Sequence, residues 1–158
     1  MSIGFRPMRP GQEEAVATFI RQLPKEIGLP LTPLISGDIL RQWQGQVHVM
    51  VADNAGLLCG ICAWFFTYST WRGAKGAYIS DLYVMSHLRH RKIGHNLMQA
   101  TARDAARQGA RFLRLDVTTT TPRPRQFYER LGFVADGDDL TLVLEHDVFQ
   151  TFIAEKSE

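Results

Sequence analysis

The stretch richest in chemistry is Asp81-Leu82-Tyr83-Val84-Met85-Ser86-His87-Leu88-Arg89-His90-Arg91-Lys92-Ile93-Gly94-His95. Its pattern predicts a strand ending at Met85, a short basic turn, and a helix beginning at Lys92. The first turn of a helix carries backbone N–H groups with no partner inside the helix, and the helix dipole makes that end attractive to anions. Arg89, Arg91 and Lys92 add positive charge there, and Gly94 allows close approach to the backbone. The combination predicts a bound phosphate or pyrophosphate. The plainer alternative is a solvated basic turn in front of a helix. The spacing is not that of a Walker loop, and two of the three glycines of a dinucleotide fingerprint are missing.

Other groups here have less to say. Cys59 and Cys62 are spaced C-x-x-C, but apolar residues flank them on both sides. They read as interior strand positions facing opposite sides of a sheet, not as a dithiol that opens a helix. His87, His90 and His95 lack regular ligand spacing, so no metal is expected. Asp81 and Asp116 lie on neighbouring predicted strands, where either could be a structural carboxylate bonded to a backbone amide or an arginine. Tyr128 sits among Phe127, Leu131 and Phe133, where composition alone favours an aromatic ring that merely packs a short helix.

The elements that must position these groups follow from periodicity and punctuation. A strand is predicted over 3–8. A helix opens at Pro10-Gly11 and carries an apolar face of Ala15, Val16, Phe19, Ile20 and Leu23. Residues 24–33 read as a proline-punctuated loop, and 36–43 as a short helix capped by Ser36. Strands over 47–52 and 57–68 are joined by the turn Asp53-Asn54-Ala55-Gly56. A loop over 69–76 leads to a strand over 77–85. The helix over 92–108 has Ile93, Leu97, Thr101 and Ala105 on one face and stops at Gly109. Strands over 112–117, 133–135 and 140–145 and a helix over 124–131 complete the chain, with a helical or frayed tail from about 147. Hairpins come first and a strand-helix-strand unit follows, which describes an α/β fold with a mixed, mostly antiparallel sheet and a parallel crossover.

The composition sets outer limits. The chain has 158 residues, 45% hydrophobic and 22% charged, which suits one globular domain over 1–158. A net charge of +2 argues against a nucleic-acid partner, as does the lack of aromatic residues among the basic ones at 89–92. The longest apolar run, over 57–66, is too short for a membrane span, and no leader segment is visible. A cytoplasmic protein is expected.

Arg89-x-x-Lys92-x-Gly94 resembles the Q/R-x-x-G-x-G/A signature of the GNAT acetyltransferase superfamily, preceded by the strand end Leu82-Tyr83-Val84. Lys92 stands where that signature has its first glycine. Downstream, Gln126-Phe127-Tyr128-Glu129-Arg130-Leu131-Gly132-Phe133 is similar to the F-Y-x-x-x-G-F element of the same superfamily. Two motifs in order, on the right elements, carry a resemblance that covers nearly the whole chain. Within the superfamily, Phe65-Phe66-Thr67-Tyr68-Ser69-Thr70-Trp71-Arg72-Gly73 and Tyr78-Ile79-Ser80-Asp81-Leu82-Tyr83-Val84 resemble the diamine and polyamine branch. Two positions and one loop depart from that branch. Ser80 replaces an acidic residue, the loop after the first helix is mostly apolar, and Thr121 stands where an asparagine is usual.

The resemblance implies an enzyme that uses acetyl-CoA as co-substrate, without a metal, to acetylate a primary amine of a small molecule or peptide. It implies that Leu82, Tyr83 and Val84 line the thioester and pantetheine slot, with the Val84 N–H stabilising the developing oxyanion. It implies that Arg89, His90, Arg91, Lys92, Ile93, Gly94 and His95 hold the pyrophosphate, and that Tyr128 protonates the departing thiolate. Asp81 is the nearer candidate for the base, Asp116 the second, and a water relay the third. A homodimer is expected from the resemblance alone. The loops over 24–36 and 69–76, with Tyr68 and Trp71, are expected to border the acceptor. The competing reading is a GNAT-like module that senses acyl-CoA without turnover, and the phenol at Tyr128 argues against it. Because Ser80 and the segment Ile27-Gly28-Leu29-Pro30 carry no carboxylate, polyamines are not expected to be the best acceptors.

Overall fold

The computed structural model describes residues 2–137, 141 and 144–154. They fall into two compact units, Met1–Arg125 and Gln126–Glu158. No helix among the described residues is long and apolar enough to cross a membrane.

The first unit is built on five strands: β1 (Gly4–Pro7), β2 (His48–Asn54), β3 (Leu57–Ser69), β4 (Ala74–Val84) and β5 (Leu113–Arg114). They lie side by side in sequence order. The first four pair antiparallel, and β5 returns parallel to β4 after a crossover. The β2–β3 loop is only Ala55 and Gly56, both at positive φ (51° and 92°), the geometry of a two-residue hairpin turn. Asp53 secures it by accepting the Gly56 N–H at 2.6 Å and pairing with Arg6.

Two helical layers cover the sheet. On one face α1 (Glu13–Glu26) and α2 (Gly37–Gln42) place Val16, Ala17, Ile20 and Leu40 against Val49, Val51, Ile61, Ala63 and Tyr83. Glu14 links the two helices by accepting the Gly37 N–H at 2.7 Å, and Ser36 caps α2 through the Ile39 N–H. The alternate residues of β2 and β3 face α3 (Ile93–Arg107), which buries Ile93, Leu97, Met98, Thr101 and Ala105. Gly60 is needed for that fit: a Cβ there would lie 2.8 Å from the Tyr83 carbonyl oxygen and 3.0 Å from a Leu97 methyl.

Cys59 and Cys62 are free and buried, and Cys59 is the extra residue of a bulge, because Ala52 pairs with Gly60 and Asp53 with Leu58, so the simple alternation expected between the two cysteines is interrupted. Burial pushes the Cys62 thiol up to about 12, and its sulfur lies 4.0 Å from that of Met98. A dithiol reaction has no place there.

Several sequence expectations are corrected. The first helix begins at Glu13 and not at Pro10, and Pro24 does not end it. Proline lacks only one N–H, and the last turn closes through Ile27 N–H to Leu23 and Leu29 N–H to Pro24. Ala15 is exposed, and Ala17 takes its place on the buried face. Strands β3 and β4 run further into the loop, to Ser69 and from Ala74. The strand over 112–117 shortens to two residues, and 133–135 is not a strand. Of the strand over 140–145, residues 140, 142 and 143 lie outside the described residues.

In the second unit the aromatic cluster of the downstream motif packs on itself. The Tyr128 ring meets Phe127 and Phe133 edge-on, at centroid distances of 5.1 and 5.7 Å. The helix that carries it, α4 (Pro122–Arg130), closes through Leu131 and Phe133 N–H groups, both donating to the Tyr128 carbonyl. The tail forms α5 (His146–Ala154).

Candidate functional site

The site in the first unit is created by a fault in β4. The Ala77 N–H donates to the Phe112 carbonyl, on the β5 side, while the Met85 N–H donates to the Cys59 carbonyl, on the β3 side. In a regular strand two amides eight residues apart point the same way. They do not here because β4 holds one extra residue. Asp81 pairs with Ala63 and Ile79 with Trp64, so Ser80 is the bulge, and its hydroxyl donates to the Ala63 carbonyl at 3.2 Å. Beyond the bulge, the N–H groups of Leu82 and Val84 therefore point away from β3.

That edge is left without a strand partner among the described residues. Strand β5 pairs with β4 only at Ala77 and Tyr78, and from Ile79 to Val84 no strand follows β4 on that side among the described residues. A sheet edge inside a fold with its amides unpaired is a ready acceptor for an extended ligand with carbonyl groups.

The edge leads directly to the start of α3. A 3₁₀ turn, Ser86–Leu88, carries the chain out of β4, and His90 and Lys92 then take positive φ values of 66° and 60° on either side of Arg91. Such alternation turns successive amides towards one side and favours anions. The first helical bond runs from the Asn96 N–H to the Lys92 carbonyl, so the amides of Ile93, Gly94 and His95 have no partner within the helix. Lys92 is thus the left-handed cap of α3, which explains why a glycine is at home in that position of the signature. Arg91 and Lys92 are exposed and form no ion pair among the described residues.

Arg89 is used differently. Its Nε donates to the Val84 carbonyl at 2.9 Å, and its guanidinium pairs with Glu26. Glu26 was read from the sequence as part of an apolar loop, and no local pattern connects it to Arg89, 63 residues away.

The two candidate carboxylates differ in surroundings. Asp81 is largely buried, and burial pushes its carboxyl above its ordinary pKa against a smaller opposing effect of Ser80. Asp116 is exposed and accepts the Tyr78 hydroxyl at 2.7 Å. Tyr78 is pushed up to about 12, first by burial and then by that carboxylate. Trp71 and Tyr68 are 99% and 71% exposed, so neither serves as core packing. No group of three or more metal-ligating side chains occurs among the described residues. Tyr128 is half-buried in the second unit.

Solved structures resemble the chain along almost its whole length. An integron cassette protein from the mobile metagenome of V. cholerae is 19% identical, with 98% of this chain and 99% of that one covered and a TM-score of 0.78. An aminoglycoside acetyltransferase from an uncultured soil metagenomic sample, in complex with sisomicin, is 15% identical over 91% and 96% of the two chains, at 0.76. A ribosomal-protein-alanine N-acetyltransferase from Brucella melitensis biovar Abortus 2308 is 14% identical over 91% and 100%, at 0.72. At such identities the likeness is one of fold, and none of the three is named as a polyamine acetyltransferase. No curated protein sequence matches the chain significantly. The model of the acetyltransferase (GNAT) family, however, matches residues 17–133, which include that whole edge of β4 and the start of α3. By that match and by its fold, this chain belongs to the acetyltransferase (GNAT) family.

Proposed function

We propose that this protein transfers the acetyl group of acetyl-CoA to a primary amine of a small molecule or peptide, by direct attack with both substrates held together. The observation that carries the reading is the edge of β4 without a strand partner, running into the amide-rich, basic start of α3. An extended pantetheine with amide groups suits the edge, and a pyrophosphate suits the helix start, so the residues present fit the co-substrate.

The roles follow. Leu82, Tyr83 and Val84 line the slot, and the Val84 N–H stabilises negative charge developing on the thioester oxygen. Arg91, Lys92 and the amides of Ile93, Gly94 and His95 hold the pyrophosphate, with Arg89 and His90 shaping the turn. Asp81, raised in pKa by burial, accepts a proton from the incoming ammonium so that the neutral amine can attack. Acetyl-CoA supplies an activated acyl carbon. As the new C–N bond forms and the C–S bond breaks, the Tyr128 phenol gives its proton to the sulfur. The phenol is then restored by the proton lost from the amine. This assignment of Tyr128 rests on the similarity of its motif, and it implies that residues 1–158 act as one acyltransferase domain. Two of the solved relatives are named as aminoglycoside and ribosomal-protein-alanine acetyltransferases, which supports an amine acceptor. The resemblance also carries a homodimer, a cytoplasmic setting and independence of metal.

Calorimetry with acetyl-CoA in the presence of a chelator, followed by thiol release with a panel of amines, tests the reading. Binding is expected, with turnover on a monoamine or an amino-acid amine exceeding that on spermidine. No heat and no thermal shift at millimolar acetyl-CoA overturns the function. A clear preference for spermidine overturns the acceptor class.

A further inference from the structure

One carboxylate ties together three parts of the first unit. Glu26 is the last residue of α1. Its Oε1 lies 2.8 Å from the Tyr83 hydroxyl on β4, and its Oε2 pairs with Arg89 in the turn before α3. Gln22, one turn earlier on α1, meets the same hydroxyl at 3.0 Å, and Phe19 stacks on the Tyr83 ring at 5.2 Å. The Arg89 guanidinium lies over that ring, 5.7 Å from its centroid. Its Nε, as described, donates to the Val84 carbonyl.

We propose that Glu26 is a positioning residue for the acetyl-CoA site, acting by holding Arg89 on the Val84 carbonyl. Within a strand, the N–H and C=O of one residue point to the same side when the strand pairs antiparallel. Arg89 therefore binds that edge of β4, and it fixes the orientation of the residue whose N–H faces the slot. The pair is partly exposed, 40% for Arg89 and 26% for Glu26, so its worth lies in orientation and not in stability. Neutralised by Glu26, Arg89 adds little net charge to the phosphate site, and the attraction falls to Arg91 and Lys92. The proposal rests on the acetyl-CoA reading of the site.

The ion pair makes a split between binding and turnover that a merely structural contact does not. Glu26→Gln is isosteric and keeps an oxygen for the Tyr83 hydroxyl, but it releases Arg89. Freed beside the phosphates, Arg89 binds them instead. Acetyl-CoA affinity by calorimetry is then unchanged or up to about threefold tighter at low salt, while turnover falls about tenfold because the Val84 peptide is no longer held. Arg89→Ala gives the same loss of turnover with no gain in affinity. In the Arg89→Ala background, Glu26→Gln has no further effect, since the partner through which it acts is gone. Glu26→Asp, with the charge on a shorter arm, gives intermediate turnover. Thermal melts establish that each variant is folded. Additive losses in the double variant overturn the proposal, as does a Glu26→Gln chain that binds acetyl-CoA more weakly at parental turnover. A parent chain that binds no acetyl-CoA overturns the underlying reading, a result distinct from either.

Discussion

The Tyr78 hydroxyl donates to the Asp116 carboxylate at 2.7 Å, at the last residue pair before β4 and β5 part. The bond commits Asp116 to a tyrosine whose pKa is pushed up to about 12, so that carboxylate serves to hold the fork of the two strands. Asp81, three residues further along β4, forms no ion pair among the described residues and is raised by burial. The contrast favours Asp81 as the base.

Asp81→Asn tests this by two measurements with opposite signs. Burial favours the protonated acid, so the folded pKa lies above the ordinary 3.8. The contribution to stability is full below the ordinary pKa and is lost as pH rises through the folded one. The asparagine is never charged and escapes that loss. Its melting temperature is therefore expected to exceed the parent's at pH 7 and to converge with it below about pH 4. Turnover is expected to fall about 10²-fold at neutral pH, the scale of a lost general base. A variant with parental turnover would assign the proton to water.

Arg91→Glu addresses the phosphate site. Arg91 is exposed and forms no ion pair among the described residues, so reversing its charge disturbs little of the fold. Beside a pyrophosphate it exchanges attraction for repulsion. Acetyl-CoA affinity is expected to drop about tenfold or more at low salt and by less at high salt, with a melting temperature close to the parent's. Equal affinity in a folded variant would remove the phosphate from this turn.

Lys92→Gly separates backbone from charge at the same place. A left-handed residue other than glycine costs about 1–2 kcal/mol, and glycine loses about 0.5–1 kcal/mol through its freer unfolded chain. With Lys92 at φ 60°, the substitution is expected to leave stability unchanged or raise it by up to about 1 kcal/mol. Affinity for acetyl-CoA is expected to weaken only a few-fold, because the amide remains and one charge is lost. Lys92→Ala keeps the strain and loses the charge, so it should lie below the glycine variant in stability at equal affinity. Denaturant melts with calorimetry on both variants read the difference.

What could be read in the sequence was local. The face Ile93, Leu97, Thr101 and Ala105 and the Ser36 cap each follow from a spacing of a few residues, and the structure has both. The helix start at Lys92 was legible for the same reason. Its left-handed cap was not, since a lysine gives no sign of positive φ and only the glycine of the signature hints at it. Pro24 was misleading because a proline in the last turn of a helix breaks little that has not already ended. The bulge at Ser80 depends on the register of two strands, and the clamp of Glu26 on Arg89 joins residues far apart in the chain. Neither leaves a periodic trace. The residues proposed to bind were therefore visible as a motif, while those proposed to orient them had to await the fold.

Tyr128 is the residue to which the proposed mechanism gives the proton for the departing thiolate. Its ring is held edge-on between Phe127 and Phe133, and Tyr128→Phe keeps that ring and removes only the hydroxyl. The melting temperature should stay near the parent's. Acetyl-CoA affinity should change little, because the residues proposed to hold the phosphates are untouched. If the phenol protonates the departing thiolate, turnover should fall by about 10²-fold or more. The loss should shrink when acetyl-CoA is replaced by an aromatic thioester, because a less basic thiolate leaves without needing a proton. That dependence on the leaving group separates an acid from a positioning hydroxyl, whose removal would slow every thioester alike. Near-parental turnover with acetyl-CoA would make Tyr128 a packing residue and pass the proton to water.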